Sequence, residues 1–452
     1  MKAGKLNYKI LYTKHLLLAF GLLLLANGIF AQASSPYSRF GLGYVRSSTF
    51  SANGGMGGIT APYASLMHIN TTNPASYASL ARTTLEAGFN VDGTNIRTND
   101  STYKTVSGNI NHIAIAFVPK ADKFAITVGL LPYTNINYTF VQNFNTPETG
   151  AYRYGYEGKG SLYNVFAGGA YKIKSRINEL DNFSIGLNLG YIFGKLSYQK
   201  LITFPDSVAA YSTRNLTTLN ASSFSYTAGI QYRRRIYHNS DIKDERTDIY
   251  FIAGAYAGGG VKMNAKINNY WDRLQTNVNT GALEAIDTIN AVYNQKTKLN
   301  MPVTVGGGVM FGNERFWMVG ADFKYANWSS YTSPLDNDQL KDSWRISAGF
   351  QITPKYDDVR KYFGRIQYRL GGYYGKSEMQ YNGNQLYEAG GTIGLGFPFK
   401  LTPSTGTLMN ITADIGTRSV NNVPNAITEA YYRLTFGFVL NDAGWFFKRK
   451  FD

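Results

Sequence analysis

The chain contains no cysteine in 452 residues. That absence excludes a lipid-anchored thiol behind a leader, structural disulfides and thiolate metal sites. Histidine is scarce, with four in all, which leaves little material for a metal centre. Charged residues make up only 16%. Beyond the leader region no apolar run approaches the roughly 20 residues that a membrane-spanning helix needs. A helical membrane protein and a metalloenzyme are therefore excluded at the outset, and neither a cofactor nor a metal is expected.

What is present begins with a leader. Lys2, Lys5, Lys9 and Lys14 precede an apolar run from Leu16 to Phe30, closed by Ala31. A basic head, a short apolar centre and a small residue at the cut are the layout of a secretory signal, so residues 1–31 are expected to be removed near Ala31. Loss of its four lysines takes the formal charge from +16 to +12. The remaining basic residues are dispersed, apart from Arg233-Arg234-Arg235 and Lys448-Arg449-Lys450. On an exported chain this fits anionic outer-membrane lipid and lipopolysaccharide as partners, and not nucleic acid. Glycine, at 47, and tyrosine, at 35, are both abundant. Tyrosine is a strand former whose ring and hydroxyl suit a membrane–water boundary.

The dominant pattern has period two. Leu85, Ala87, Phe89 and Val91 alternate with Glu86, Gly88, Asn90 and Asp92. Phe183, Ile185, Leu187, Leu189, Tyr191 and Phe193 alternate with Ser184, Gly186, Asn188 and Gly190. Such alternation, with every second residue facing lipid, is the signature of a membrane β-barrel. Counting the runs predicts fourteen strands across 83–441, the seventh over 247–267, the eighth over 297–312 and the eleventh over 363–380. An even number returns both ends of a closed barrel to the periplasm. Long connectors over 205–220 and 268–296 then lie outside the cell, and residues 442–452 form a periplasmic tail. The expected fold is all-β: a 14-stranded antiparallel transmembrane barrel of the bacterial outer membrane, with an N-terminal plug over 32–82. A soluble all-β protein, the alternative, would have shorter strands and a buried core.

Residues 32–82 do not alternate. They include Ser35-Pro36-Tyr37-Ser38-Arg39-Phe40-Gly41, Gly54-Gly55-Met56-Gly57-Gly58 and Asn73-Pro74-Ala75-Ser76-Tyr77. Paired glycines open backbone conformations closed to other residues, and Asn-Pro favours a turn. A glycine-rich stretch and an Asn-Pro-Ala motif just ahead of fourteen strands resemble the FadL family of outer-membrane long-chain fatty-acid transporters. The Ser-Pro-Tyr-Ser-Arg-Phe-Gly start and the ending from Asn441 to Lys450 are similar to its Bacteroidota branch. The resemblance covers the mature chain by architecture and its two ends by motif. It implies an N-terminal hatch gated at Gly54, Gly55, Gly57, Gly58, Asn73, Pro74 and Ala75, with ligand caught by the longest outer loops. Ser76 and Tyr77 depart from the small residue and leucine usual after Asn-Pro-Ala. The branch also includes relatives that serve secretion or assembly machines. The leading function is therefore passive uptake of hydrophobic small molecules such as long-chain fatty acids; the alternative is a non-transporting barrel subunit of an outer-membrane secretion or protein-assembly complex.

Alternation places Glu86, Asp92, Asp322, Arg345, Arg365, Arg369, Glu388, Asp414 and Arg433 on the lumen side. Opposite charges in a polar lumen pair with one another, whereas a ligand carboxylate favours a bidentate arginine. Arg345, Arg365 and Arg433 are the candidate ligand-binding residues. Within 268–296, Leu283, Ile286, Ile289 and Tyr293 recur at helical spacing. With Tyr270, Trp271 and Leu274 they form a candidate capture loop for an apolar ligand, or a face that packs on the rim or on a partner. His68 falls in the plug, His112 in the second strand and His238 in a periplasmic turn. None has the serine and acid neighbours that a barrel hydrolase requires, and no enzymatic activity is expected.

Overall fold

The computed structural model describes residues 35–442 apart from 47–48, 99–100, 148–149, 175–180, 206–209, 238–247, 278, 334–339, 359, 400–404, 421–422 and 424–425. The expected leader, the tail beyond 442 and His238 lie outside the described residues. The N-terminal segment contains a two-residue strand, β1 (Tyr44–Val45), and one helical turn, α1 (Ser51–Gly54). Sixteen longer strands follow: β2 (Thr83–Arg97), β3 (Thr102–Lys120), β4 (Phe124–Thr146), β5 (Gly150–Lys174), β6 (Asp181–Thr203), β7 (Ser212–Tyr237), β8 (Ile249–Gly259) and β9 (Lys262–Thr276), then β10 (Leu283–Asn300), β11 (Val303–Asn313), β12 (Trp317–Ala326), β13 (Ser343–Ile352), β14 (Gln367–Tyr381), β15 (Asn384–Phe399), β16 (Thr405–Ser419) and β17 (Thr428–Asp442).

The pairing is antiparallel throughout, and β17 closes on β2 from Thr428↔Arg97 to Asp442↔Thr83. Two staves are each built from two strands. β8 passes into β9 through Gly259 and Gly260, both at positive φ (85° and 69°), and β10 passes into β11 through Met301-Pro302. The lower half of β7 pairs with β8 and its upper half with β9. Across the next seam β8 pairs with β11, and β9 with β10. The result is a closed barrel of fourteen staves. The period-two reading is visible in the exposures. On β6 the residues Phe183, Ile185, Leu187, Leu189, Tyr191 and Phe193 face outward, while Ser184, Asn188 and Ile192 are buried. An exposed apolar belt on every second residue is stable only against lipid.

Three sequence expectations need correction. The stretch 268–296 is no loop with a helical face, because β9 and β10 run through it as a long hairpin beyond the belt. The helical spacing has a physical source in that hairpin. Its register slips at Ala285/Asp287, Thr288/Asn290 and Val292/Gln295, leaving Ile286, Ile289, Tyr293 and Asn294 unpaired on β10. A bulge adds one residue to a period of two, so bulged positions recur every three or four residues and mimic a helix. The connector expected over 205–220 is shorter, since β7 already begins at Ser212. Arg365 does not line the lumen. It ends a 3-10 turn, Tyr362–Arg365, on the periplasmic connector, with its guanidinium 5.3 Å from the Tyr362 ring.

Candidate functional site

Residues 35–82 sit inside the ring, touching inward-facing residues on strands around its circumference, and most of their side chains are buried. Such a segment has few internal backbone bonds, so its N–H groups must find partners elsewhere. Wall carboxylates supply them. Asp322 on β12 accepts from the Thr60 and Ala61 amides at 2.7 and 2.6 Å. Glu314 accepts from Leu66 at 2.7 Å, and Glu86 on β2 from Ile69 at 2.9 Å. Hydrogen bonds to ionised acceptors are the stronger class. Wall glycines provide the clearance. A Cβ at Gly349 would lie 2.3 Å from the Met56 carbonyl oxygen, and one at Gly371 would lie 2.1 Å from the Gly57 nitrogen.

The Asn-Pro-Ala motif is part of this fixture. Asn73 caps the 3-10 turn Pro74–Ser79, its side chain accepting from the Ala75 amide, and Pro74 follows at the first turn position that tolerates it. The same side chain donates to the Ala61 carbonyl at 2.6 Å and to Ile230 on β7 at 3.2 Å. Gly54 and Gly55 end α1 beside Thr412 and Gly394, while Gly57 and Gly58 take positive φ of 73° and 84°. The sequence-predicted gating residues thus all lie on the buried segment, in contact with the wall or with each other.

Among the described residues the wall has one incomplete seam. β3 pairs with β4 only from Ile113↔Leu130 down to Lys120↔Phe124. Above that point the register of β4 slips at Pro132/Thr134, and its free edge pairs with β1 instead, Tyr44↔Asn135 and Val45↔Thr134. The Arg46 amide donates to Tyr133 at 2.9 Å, and the Ser35 amide to Asn137 at 3.3 Å. The N-terminal segment therefore stitches the seam from within.

Above the segment a second set of side chains packs together. Leu42 of the segment joins Ile136, Leu219, Met263, Leu299 and Trp328, from the outer ends of the strands and the connector after β12, in one buried apolar cluster. Asp342 helps hold that connector: the Tyr325 hydroxyl and the Ser329 amide donate to it and keep its carboxyl below the usual carboxylate range. Between cap and segment lies a cavity of about 300 Å³. Its lining includes Tyr44, Leu131 and Tyr133 at the stitched seam, with Arg345 on β13, Glu388 on β15 and Arg433 on β17.

The lumenal charges pair off. Arg433 bonds Asp92 at 2.5 Å and faces Asp414 at 3.8 Å; Arg46 bonds Asp92 at 2.9 Å. Arg418 bridges Glu388 at 3.3 Å and Glu429 at 3.7 Å. Arg345 lies 3.6 Å from the Tyr373 ring centre and 4.0 Å from Glu388. Four guanidinium groups thus meet four carboxylates. Arg369 is buried apart from these, held by Gln351, Asn410 and Gln367. Of the three arginines offered as ligand-binding, Arg345 and Arg433 line the cavity and Arg365 does not. Sequence reading missed Arg418 and Glu429, although both share the inward parity of Asp414 and Arg433. It also missed Arg46, which no alternation marks. Among the capture-loop residues, Leu274 is buried, and Trp271, Leu283, Ile286, Ile289 and Tyr293 are exposed on the hairpin, with Tyr270 edge-on to Tyr293 at 5.4 Å. No metal-binding group of three or more ligands occurs among the described residues.

A family model described as BamG matches residues 13–452. A search of curated proteins finds no match. Among solved structures, a FadL homologue of Pseudomonas aeruginosa superposes with a TM-score of 0.53 at 12% identity, covering 88% of this chain and 99% of that one. A deltaS2 mutant of the monoaromatic hydrocarbon channel TodX gives a TM-score of 0.50 at 13% identity, over 88% and 99%. At such identities the likeness is one of fold: the chain shares the FadL-type barrel.

Proposed function

The chain belongs to the BamG family, and we propose that it is a non-transporting barrel subunit of an outer-membrane protein-assembly or secretion complex. The observation that carries this reading is the filled outer mouth. An apolar cluster occupies the place where a solute would enter, and a hydrogen-bonded segment fills the floor beneath it. A barrel closed in this way supplies a rigid membrane-embedded body and an outer hairpin, both suited to holding partners.

A second reading is favoured by one specific feature. The cavity abuts the seam between β3 and β4, which only the N-terminal segment closes. Withdrawal of that segment would open a lateral path for hydrophobic small molecules such as long-chain fatty acids, with Arg345 and Arg433 beside it.

Mild-detergent purification of the tagged protein from its native outer membrane separates the two. Proteins and small molecules that co-purify are identified together by mass spectrometry. Stoichiometric outer-membrane partners and an empty barrel are expected. A solitary barrel carrying fatty acid would reject the scaffold reading and establish the second.

A further inference from the structure

The outward face of the tall wall carries a feature that neither plug nor cavity uses. On β6 the lipid-facing belt ends at Phe193, and the next outward residue is Lys195. Cross-strand register then links it to further lysines: Lys195↔Asn220, Asn220↔Lys266 and Lys266↔Lys296. One step lower, Lys298 lies opposite Asn264, and below that Lys262 lies opposite Asn300. All five lysines are exposed, while Met263, Ala265, Ile267 and Leu299 between them point inward and are buried. With strands about 4.8 Å apart, the three steps from Lys195 to Lys296 cover roughly 15 Å.

This arrangement is unfavourable taken alone. Lys266 and Lys296 are direct cross-strand partners, and like charges so placed destabilise a sheet. The nearby acids are engaged elsewhere: Glu157 with Lys159, Asp272 with Arg214 and Asp287 with Arg273. None of the five lysines forms an ion pair with a carboxylate among the described residues. Below Lys195, outward-facing aromatic side chains of β5 to β7 form a girdle. Tyr163 and Phe193 lie 6.4 Å apart, and Tyr191 meets Phe224 edge-on at 5.4 Å. Aromatic girdles mark the level of the lipid headgroups. Lys195 therefore stands at the upper rim of the girdle, and Lys262, Lys266, Lys296 and Lys298 continue the basic patch on the outward face of β9 and β10.

We infer that Lys195, Lys262, Lys266, Lys296 and Lys298 form a binding site for the phosphate groups of outer-leaflet lipopolysaccharide, with the acyl chains against the girdle below. Two or more phosphates on one headgroup match a patch of this width, and they neutralise the cross-strand repulsion between Lys266 and Lys296. The site lies on the lipid-facing surface, so it is independent of whether the lumen conducts.

The test is native mass spectrometry of the purified full-length barrel with bisphosphorylated lipid A as probe. K195Q/K266Q/K296Q is compared with the wild type and with K120Q, a control at the periplasmic rim. Basic side chains at an anionic surface each add to its attraction, so retention of lipid A is expected to fall at least tenfold in the triple variant and stay unchanged in K120Q. Dephosphorylated lipid A is expected to bind the wild type no better than it binds the triple variant. The inference is overturned if the triple variant retains lipid A, or if the dephosphorylated lipid binds equally well. Displacement of lipid A by millimolar inorganic phosphate would also overturn it, by reducing the site to a simple anion site. So would loss of a co-purifying acidic protein in the variant with lipid A unchanged, which would assign the patch to a protein partner. Heat-modifiable migration on gels checks that the variants are folded barrels.

Discussion

At the scale of single residues, the barrel is fitted to its contents by clearance and by charge. The high glycine count reads from sequence only as composition. Part of its physical reason is distributed, because wall glycines such as Gly254, Gly349 and Gly371 make room for the backbone of the N-terminal segment, far away in the chain. Gly371→Ala would drive a methyl against the Gly57 nitrogen and the Met56 carbonyl carbon, at 2.1 and 2.3 Å. Overpacking of this kind costs about 1–3 kcal/mol. A lowered temperature for loss of heat-modifiable gel migration is expected, while Gly307→Ala, whose nearest neighbour is 3.8 Å away, should leave it unchanged. Asp322 presents the complementary case. Alternation marks it as lumenal, but nothing local reveals that it accepts the Thr60 and Ala61 amides. Asp322→Ala leaves two buried N–H groups without their acceptor, at about 1–3 kcal/mol. Faster hydrogen exchange at Thr60 and Ala61, with wall strands still protected, is the expected outcome; unchanged exchange there would show that the carboxylate does not pin the segment.

At the scale of elements, the sequence was most legible where the pattern was regular and least where an extra residue interrupts it. β6 follows the alternation over its whole apolar belt, and so its position could be read directly. β10 was misread because bulges at Ile286, Ile289 and Tyr293 stretch a period of two toward a helical one. The break between β8 and β9 has a local signal in Gly259-Gly260, yet the strand resumes beyond it because β7 is long enough to template both halves. The seam at β4 had a weak signal, Pro132, while its replacement by β1 is a long-range contact that no local pattern encodes. That seam offers a clean experiment, since the native chain has no cysteine. Arg46 and Tyr133 form a hydrogen-bonded pair, so Val45 and Thr134 are the adjoining non-bonded pair, whose Cα atoms approach about 4.5 Å. That separation lies within disulfide reach. Val45→Cys with Thr134→Cys should cross-link on oxidation. If the barrel is a scaffold, cells carrying the oxidised pair should grow as the wild type does; loss of fatty-acid uptake that reductant restores would instead show that β1 is a lateral gate.

For the whole molecule, the decisive property is that closures lie in series. The apolar cap, the paired charges and the buried segment each obstruct the same axis, and the N-terminal segment contributes to all three, through Leu42 in the cap and Arg46 among the charges. Fold class was legible because bilayer thickness and backbone satisfaction impose one pattern on every stave. Closure was not, because it depends on how inward faces meet across the lumen. Series closure has a measurable consequence. Val303 pairs with Gly259, so residues 260–302 can be replaced by a two-residue turn that joins β8 directly to β11. This removes Met263, Ala265, Ile267 and Leu299 from the cap and leaves the segment below intact. In planar bilayers the wild type is expected to be silent, and the hairpin-truncated barrel silent as well, because the floor still holds. Deleting Gly54–Gly58 in the truncated barrel should then release the floor and give stepwise ion conductance, whereas the same deletion with the cap in place should not. Steady conductance from the wild type would contradict a sealed lumen; conductance from the hairpin truncation alone would show that the cap is the sole barrier and that the buried segment leaves an open path.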